Sequence, residues 1–185
     1  MQDNNKPSAG RILISAPFLG DIFKRSVILL TEHNEEGSVG FILNKPTEFK
    51  LHEVLDDFPE FDAKVFLGGP VQQNSLNFIH KAGNILEGGY EISTGVYWNG
   101  NFEMLKVLIE NGNLDPDDFR FFLGYSGWSP DQLKDEIRKN SWYLNDPSKE
   151  ILFDNVSEKL WSTILKSMGK EYSIISTFPE DPSVN

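Results

Sequence analysis

Apolar and polar residues recur with two different periods along this chain, and each change of period marks an element. The richest stretch runs from Phe119 to Pro130, with the sequence FRFFLGYSGWSP. On an extended backbone Phe119, Phe121, Leu123 and Tyr125 share one face, and Phe122, Gly124 and Ser126 share the other. Apolar side chains on both faces predict a strand covered on both sides. Gly124 leaves a notch on the Ser126 face, and Gly127 supports a sharp turn. Ser129 as N-cap, Pro130 at the first helical position and Gln132 three residues after the cap predict a helix starting at Pro130. Asp131 suits the positive end of its dipole, and Leu133 and Ile137 form its apolar side.

The same reading places the other elements. Short strands are predicted over Arg11–Ser15, Val27–Leu30, Val39–Leu43, Val65–Leu67 and Leu76–His80, with a further extended piece between Tyr90 and Tyr97. The brief turn Asn34–Ser38 joins two of them as an antiparallel hairpin. Helical spacing appears at Leu51, Val54, Leu55 and Phe58, and again at Phe102, Leu105, Leu108 and Ile109, with Gly112 as the stop. Ser148–Phe153 reads as a helical turn. Asn155 and Glu158 form a capping box for a last helix whose stripe is Val156, Leu160, Trp161, Ile164, Leu165 and Met168. Ser141–Pro147 reads as a loop. Strands outnumber helices and regular βαβ alternation is absent, which predicts an α+β fold with a mixed, largely antiparallel sheet flanked by helices. Residues 1–10 read as a flexible lead-in, 11–170 as one domain and 171–185 as a tail.

The 185 residues suffice for one sizeable core. No apolar run approaches a membrane span, the N-terminus lacks a signal peptide's apolar core, and the expected location is cytoplasmic. With no cysteine, disulfides, thiol catalysis and Cys-based metal sites are excluded. The 17 basic and 28 acidic residues leave a net charge of −11. Lys24-Arg25 and Arg138-Lys139 are isolated pairs in an acidic surface. Direct nucleic-acid binding is therefore disfavoured, and no helix-turn-helix pair can be placed.

Three strand ends carry glycine or asparagine with proline or serine nearby: Asn44-Lys45-Pro46, Gly68-Gly69-Pro70 and Gly124-Tyr125-Ser126-Gly127. If they converge, free amides at Gly68-Gly69 and at the helix start near Ser129 would favour a polar or anionic ligand, with His80 and Trp128 beside them. The alternative is that these glycines only let strands turn and pack. Gly124-Tyr125-Ser126-Gly127-Trp128 approaches the G-x-S-x-G nucleophile elbow but lacks its last glycine. A hydrolase would need Ser126 served by His33 or His80, both upstream. Glu32-His33 and His80 lack metal-ligand spacing, and neither a phosphate loop nor a dinucleotide fingerprint occurs. No cofactor is expected.

Taken together, the chain resembles the YqgE/AlgH family of bacterial proteins. The resemblance rests on Leu13, Ala16-Pro17, Asp21, Phe23, Ser26-Val27, Glu32-His33, Gly37, Gly40 and Asn44-Lys45-Pro46. It continues with Gly68-Gly69-Pro70-Val71, Phe78 and His80. A third block holds Gly124–Trp128, Gln132-Leu133, Glu136 and Trp142. Pro130, Asp131 and Lys134 depart from the family pattern. The resemblance implies an α+β fold with part of a mixed sheet curled into a small barrel. The family is often labelled as transcriptional regulators, and the resemblance supplies no reaction. The expected role is a non-enzymatic binder of a small polar or anionic ligand or of a protein partner, with any regulatory effect indirect. The alternatives are the Ser126 hydrolase and a DNA-binding regulator.

Overall fold

A computed structural model describes residues 6–154 and 159–180. The capping box expected at Asn155 and Glu158, and Val156 of the apolar stripe, lie outside the described residues. Nine strands form one sheet: β1 (Ile12–Ser15), β2 (Val27–Asn34), β3 (Gly37–Ile42), β4 (Lys64–Leu67), β5 (Val71–His80), β6 (Tyr90–Ser93), β7 (Val96–Trp98), β8 (Phe119–Trp128) and β9 (Trp142–Asn145). The helices are α1 (Leu51–Val54), α2 (Phe102–Glu110), α3 (Gln132–Arg138), α4 (Lys149–Phe153), α5 (Leu160–Ser167) and α6 (Lys170–Ile175).

The strand order is β6-β7-β5-β8-β3-β2-β1-β9, antiparallel throughout, and β4 joins β8 in parallel. This is the expected α+β class. The barrel implied by the resemblance is not closed, because β6 and β9 end the order and do not pair with each other. No helix among the described residues is long and apolar enough to cross a membrane.

β8 is the spine. Its first half, Arg120 to Leu123, lies between β4 and β5, and its second half, Ser126 to Trp128, pairs with β3. β4 is wedged between β8 and the chain that continues β3, through Leu67 N–H to Lys45 O (2.9 Å) and Thr47 N–H to Val65 O (3.0 Å). Where β4 ends, Ile42 N–H donates to Gly68 O (2.9 Å), and β3 takes over the edge of β8.

The period-two pattern sorts side chains into cores on opposite faces. Ile12, Ile14, Val27, Leu29, Phe41 and Phe122 pack under α4 and α5, with Trp161 at the centre. Leu13, Ile28, Leu30 and Ile42 face the other way, against Trp128, Leu133 and Trp142. Phe119 and Phe121 join a third cluster with Leu105 of α2 and Leu51 of α1. Tyr125 departs from the alternation. It packs with Phe122 rather than with Phe121, because Gly124 takes φ +67° opposite residues 72–75, which bulge out of β5, and the parity of β8 reverses beyond it.

Other boundaries also move. α3 starts at Gln132, not Pro130, since β8 runs to Trp128 and residues 129–132 turn under a Gln132 N–H to Ser129 O bond (3.1 Å). Half of the expected capping box survives, as Ser129 N–H donates to Gln132 Oε1 (3.0 Å). The Ser141–Pro147 stretch read as a loop contains β9, an edge strand paired with β1. Residues 90–98 hold a second hairpin, β6–β7. Within the stretch read as a tail, α6 packs Tyr172 and Ile175 against the main core.

Candidate functional site

Gly68-Gly69 and Gly124–Ser126 do meet, but as a backbone crossing without space between them. A Cβ on Gly68 would collide with Gly124 O, and one on Gly69 with the Tyr125 carbonyl. The Gly68 amide donates to Leu123 O (2.8 Å), so it is not offered to a ligand. Ser126 is fully buried and its hydroxyl donates to Gly68 O (3.1 Å). These glycines serve close packing. Pro70 beside them is exposed.

Neither histidine serves Ser126. His80 pairs with Phe119, seven residues along β8 from Ser126, or about 23 Å at the rise of a strand. Its ring lies against Tyr97 (5.6 Å) and Phe119 (5.4 Å). Its Nδ1 accepts from Ala82 N–H (3.2 Å), so Nε2 carries the proton and donates to Asn99 O (2.8 Å). Burial holds its pKa below the usual histidine value, partly countered by the Asn99 carbonyl. His33 is two strands away, with Nδ1 against Ser38 Oγ (2.7 Å). Burial and the Lys134 charge lower its pKa as well. Among the described residues, no group of three or more His, Asp and Glu is arranged to hold a metal.

Gly127 and Trp128 border an open crevice of about 420 Å³, but its other wall carries Glu32 and Glu36. Such a wall repels anions. Trp128 itself is buried and committed. Its indole N–H donates to Glu136 Oε2 (2.9 Å), and the Trp142 indole donates to the same oxygen (2.8 Å). Gln132 Nε2 donates to Glu136 Oε1 (2.9 Å), completing a clamp that fixes α3 to β8 and β9.

Asn44 leads to a different place. Its Oδ1 accepts from Val27 N–H (2.9 Å) and its Nδ2 donates to Arg25 O (2.8 Å). Next to it, Lys45 Nζ donates to Lys24 O (2.9 Å). The end of β3 thereby grips the entry to β2, where Arg25 holds a left-handed φ of +49°. A residue with a Cβ is strained there and needs such support. The result is a groove of about 640 Å³ whose charged lining is Lys24, Arg25, Lys45, Glu48 and Glu180, with Asn44 and Pro46 beside them.

The Arg25 guanidinium lies 4.9 Å over the Trp161 ring. Its Nη2 donates to Phe178 O (2.6 Å), while its Nε is buried without a partner. The Glu180 carboxylate stands 3.5 Å from Arg25 Nη1 and 3.8 Å from Lys24 Nζ. The arrangement can hold an oxyanion by charge and by guanidinium and ammonium donors. Of the residues expected to bind, only Asn44 borders this groove, and it acts by shaping Arg25. Lys24, Arg25 and Lys45 were not among the residues expected to bind. Hairpin register carried the signal, because Ile28 faces Ile42 and continuing that pairing sets Arg25 across from Lys45.

Another cation is fully buried. Arg120 is 1 % exposed, its Nη1 reaches Leu43 O (3.3 Å), its Nη2 has no partner, and the guanidinium sits 4.7 Å over Phe66. Burial pushes its pKa down to about 10, with the Asp154 charge acting the other way.

Comparison with known proteins places the chain in a group. A family profile described as AlgH-like matches residues 12–173. The chain belongs to the AlgH-like family. A UPF0301 protein of Cytophaga hutchinsonii is 47 % identical over 178 residues, covering 95 % of this chain and 98 % of the relative. A UPF0301 protein of Chlorobaculum parvum is 46 % identical over 178 residues, covering 96 % and 95 %. The solution structure of the AlgH protein from Pseudomonas aeruginosa aligns with TM-score 0.73 at 27 % identity, covering 97 % and 96 %. The crystal structure of protein DIP2367 from Corynebacterium diphtheriae aligns with TM-score 0.75 at 22 % identity, covering 96 % and 95 %, a likeness of fold. In this AlgH-like chain most residues that carry the resemblance are structural: the Gly68-Gly69 crossing, the Glu136 clamp and the stacked His80.

Proposed function

We propose that this AlgH-like protein is a non-catalytic binder of an anionic ligand, held in the groove between Lys24, Arg25 and Lys45. One observation carries the reading: a chain of net charge −11 gathers three cations on one groove beside two carboxylates, Glu48 and Glu180, the second facing Lys24 and Arg25. Like charges gathered this closely repel one another, and an anion between them removes that cost. In this reading an influence on transcription runs through the ligand, since three cations on an acidic surface cannot offset repulsion from a phosphate backbone.

Isothermal titration with inorganic pyrophosphate at low ionic strength tests the proposal. Binding is expected to weaken with salt and by roughly tenfold in Lys24→Gln, the loss of one charge-assisted contact. Absence of saturable binding, or equal binding by Lys24→Gln, would overturn it.

A further inference from the structure

The groove is already visited by the chain's own residues 178–180, and the way they sit describes a ligand. We infer that the groove reads an acidic peptide segment of a partner protein, with an aromatic residue two positions before a carboxylate. Phe178–Glu180 then acts as its resident stand-in. This rests on the anion-binding reading above and names the ligand class.

The stand-in is held at three points. The Phe178 ring stacks on Phe18 (5.8 Å between centroids, 27° between planes). The Phe178 carbonyl accepts from Arg25 Nη2, and the Glu180 carboxylate faces Lys24 and Arg25. Pro179 lies between the two anchors and restricts the backbone there, which lowers the entropy lost on docking. An aromatic shelf beside a cationic groove is thus a two-point reader, with a spacing set by the segment seated on it.

The seat is incomplete. The separations of 3.5 and 3.8 Å exceed the 2.7–2.9 Å typical of a charge-assisted hydrogen bond. Arg25 Nε has no acceptor, Phe18 stays 54 % exposed, and Ile174 adds a further exposed apolar side chain on the helix leading into the segment. Contacts between such exposed groups are individually weak. An outside segment that closes these distances displaces the resident one, and the apparent affinity is lowered by the fraction of time the groove is occupied.

The test uses the full chain and a fluorescein-labelled peptide with the sequence of residues 175–180, followed by anisotropy. The double variant Phe178→Ala/Glu180→Gln, with its own segment disarmed, is expected to bind the peptide about five- to tenfold more tightly than the unmodified protein. Replacing the peptide's Phe by Ala, or its Glu by Gln, is expected to weaken binding about tenfold. Equal affinity of the two proteins overturns the stand-in role. Peptide binding indifferent to the Phe→Ala change, with pyrophosphate still bound, overturns the peptide reader and leaves the anion site standing. Loss of both peptide and pyrophosphate binding removes the anion site itself. Sedimentation showing that the unmodified protein dimerises and the double variant does not would assign the groove to a second copy of this chain, against the inference.

Discussion

Replacing Glu136 tests whether the Gly124–Trp128 stretch and its surroundings are structural. The Glu136 carboxylate accepts from the indoles of Trp128 and Trp142, which are 6 % and 2 % exposed. Glu136→Ala strands two buried N–H donors, each costing about 1–3 kcal/mol when unpaired. Gln132, which loses its own acceptor on Glu136, can turn toward one indole and leave one donor stranded, so the expected destabilisation is about 1–3 kcal/mol. Glu136→Gln keeps one carbonyl oxygen for both indoles and gives up the solvent-facing bond to Gln132, for about 1 kcal/mol. Urea unfolding followed by tryptophan fluorescence and far-ultraviolet circular dichroism measures both. A double-mutant cycle with Trp142→Phe isolates one arm, with a coupling of about 1–2 kcal/mol expected. The structural assignment fails if Glu136→Ala unfolds within 1 kcal/mol of the unmodified protein, or if Glu136→Gln is as damaging as Ala.

Three further outcomes follow from the same contacts. Gly69→Ala places a Cβ on the Tyr125 carbonyl and is expected to cost more than about 3 kcal/mol or to abolish soluble expression; near-normal urea stability would show that the crossing can open. Arg120→Met, which fills the same space without a buried charge, is expected to be neutral or up to about 2 kcal/mol stabilising, whereas Arg120→Ala leaves a cavity and costs about 2–5 kcal/mol, both read from urea midpoints. His80 has a folded pKa lowered from the usual 6.5, so its stabilising effect is full above that pH and is lost as pH falls through the lowered folded value. His80→Phe should therefore flatten the dependence of the urea midpoint on pH below 6.5, and an unchanged slope would assign the effect to other groups, His33 first.

How far the sequence could be read depended on whether the informative contact was local. Alternation in Ile12–Ile14, Val27–Leu30 and Phe119–Phe122 was enough to identify strands covered on both faces, because burial on each face is set residue by residue. Tyr125 was misplaced because one left-handed glycine reverses the parity, and nothing in the local composition announces which glycine will do so. β9 was missed because an edge strand of Trp-Tyr-Leu-Asn carries no second apolar run to complete a pattern, and only its pairing with β1 makes it a strand. The start of α3 was misjudged because Ser129 and Pro130 satisfy the rules for a cap and a first position, while the Gln132 side chain serves the turn before the helix. The glycine-rich bends do converge, but glycine permits close backbone approach whether the neighbour is a ligand or another strand. Sequence alone does not separate the two.

The basic groove shows where strain and support are joined. Arg25 adopts a conformation that glycine would take at little cost, and Asn44 and Lys45 spend their side chains holding the backbone on either side of it. Had the turn alone mattered, a glycine at position 25 would relieve the strain, and Asn44 would have less to hold. The arginine instead carries its guanidinium across Trp161 to the groove, toward Phe178 and Glu180. A Trp161 indole bound to Ser15 O (2.9 Å) makes that platform rigid. Gly68, Gly69 and Gly124 fit packing, since the space beside each is already filled, whereas the Arg25 side chain is the feature on which the proposed recognition rests. Here a strained backbone, a rigid aromatic support and a buried donor without a partner converge on one charged side chain.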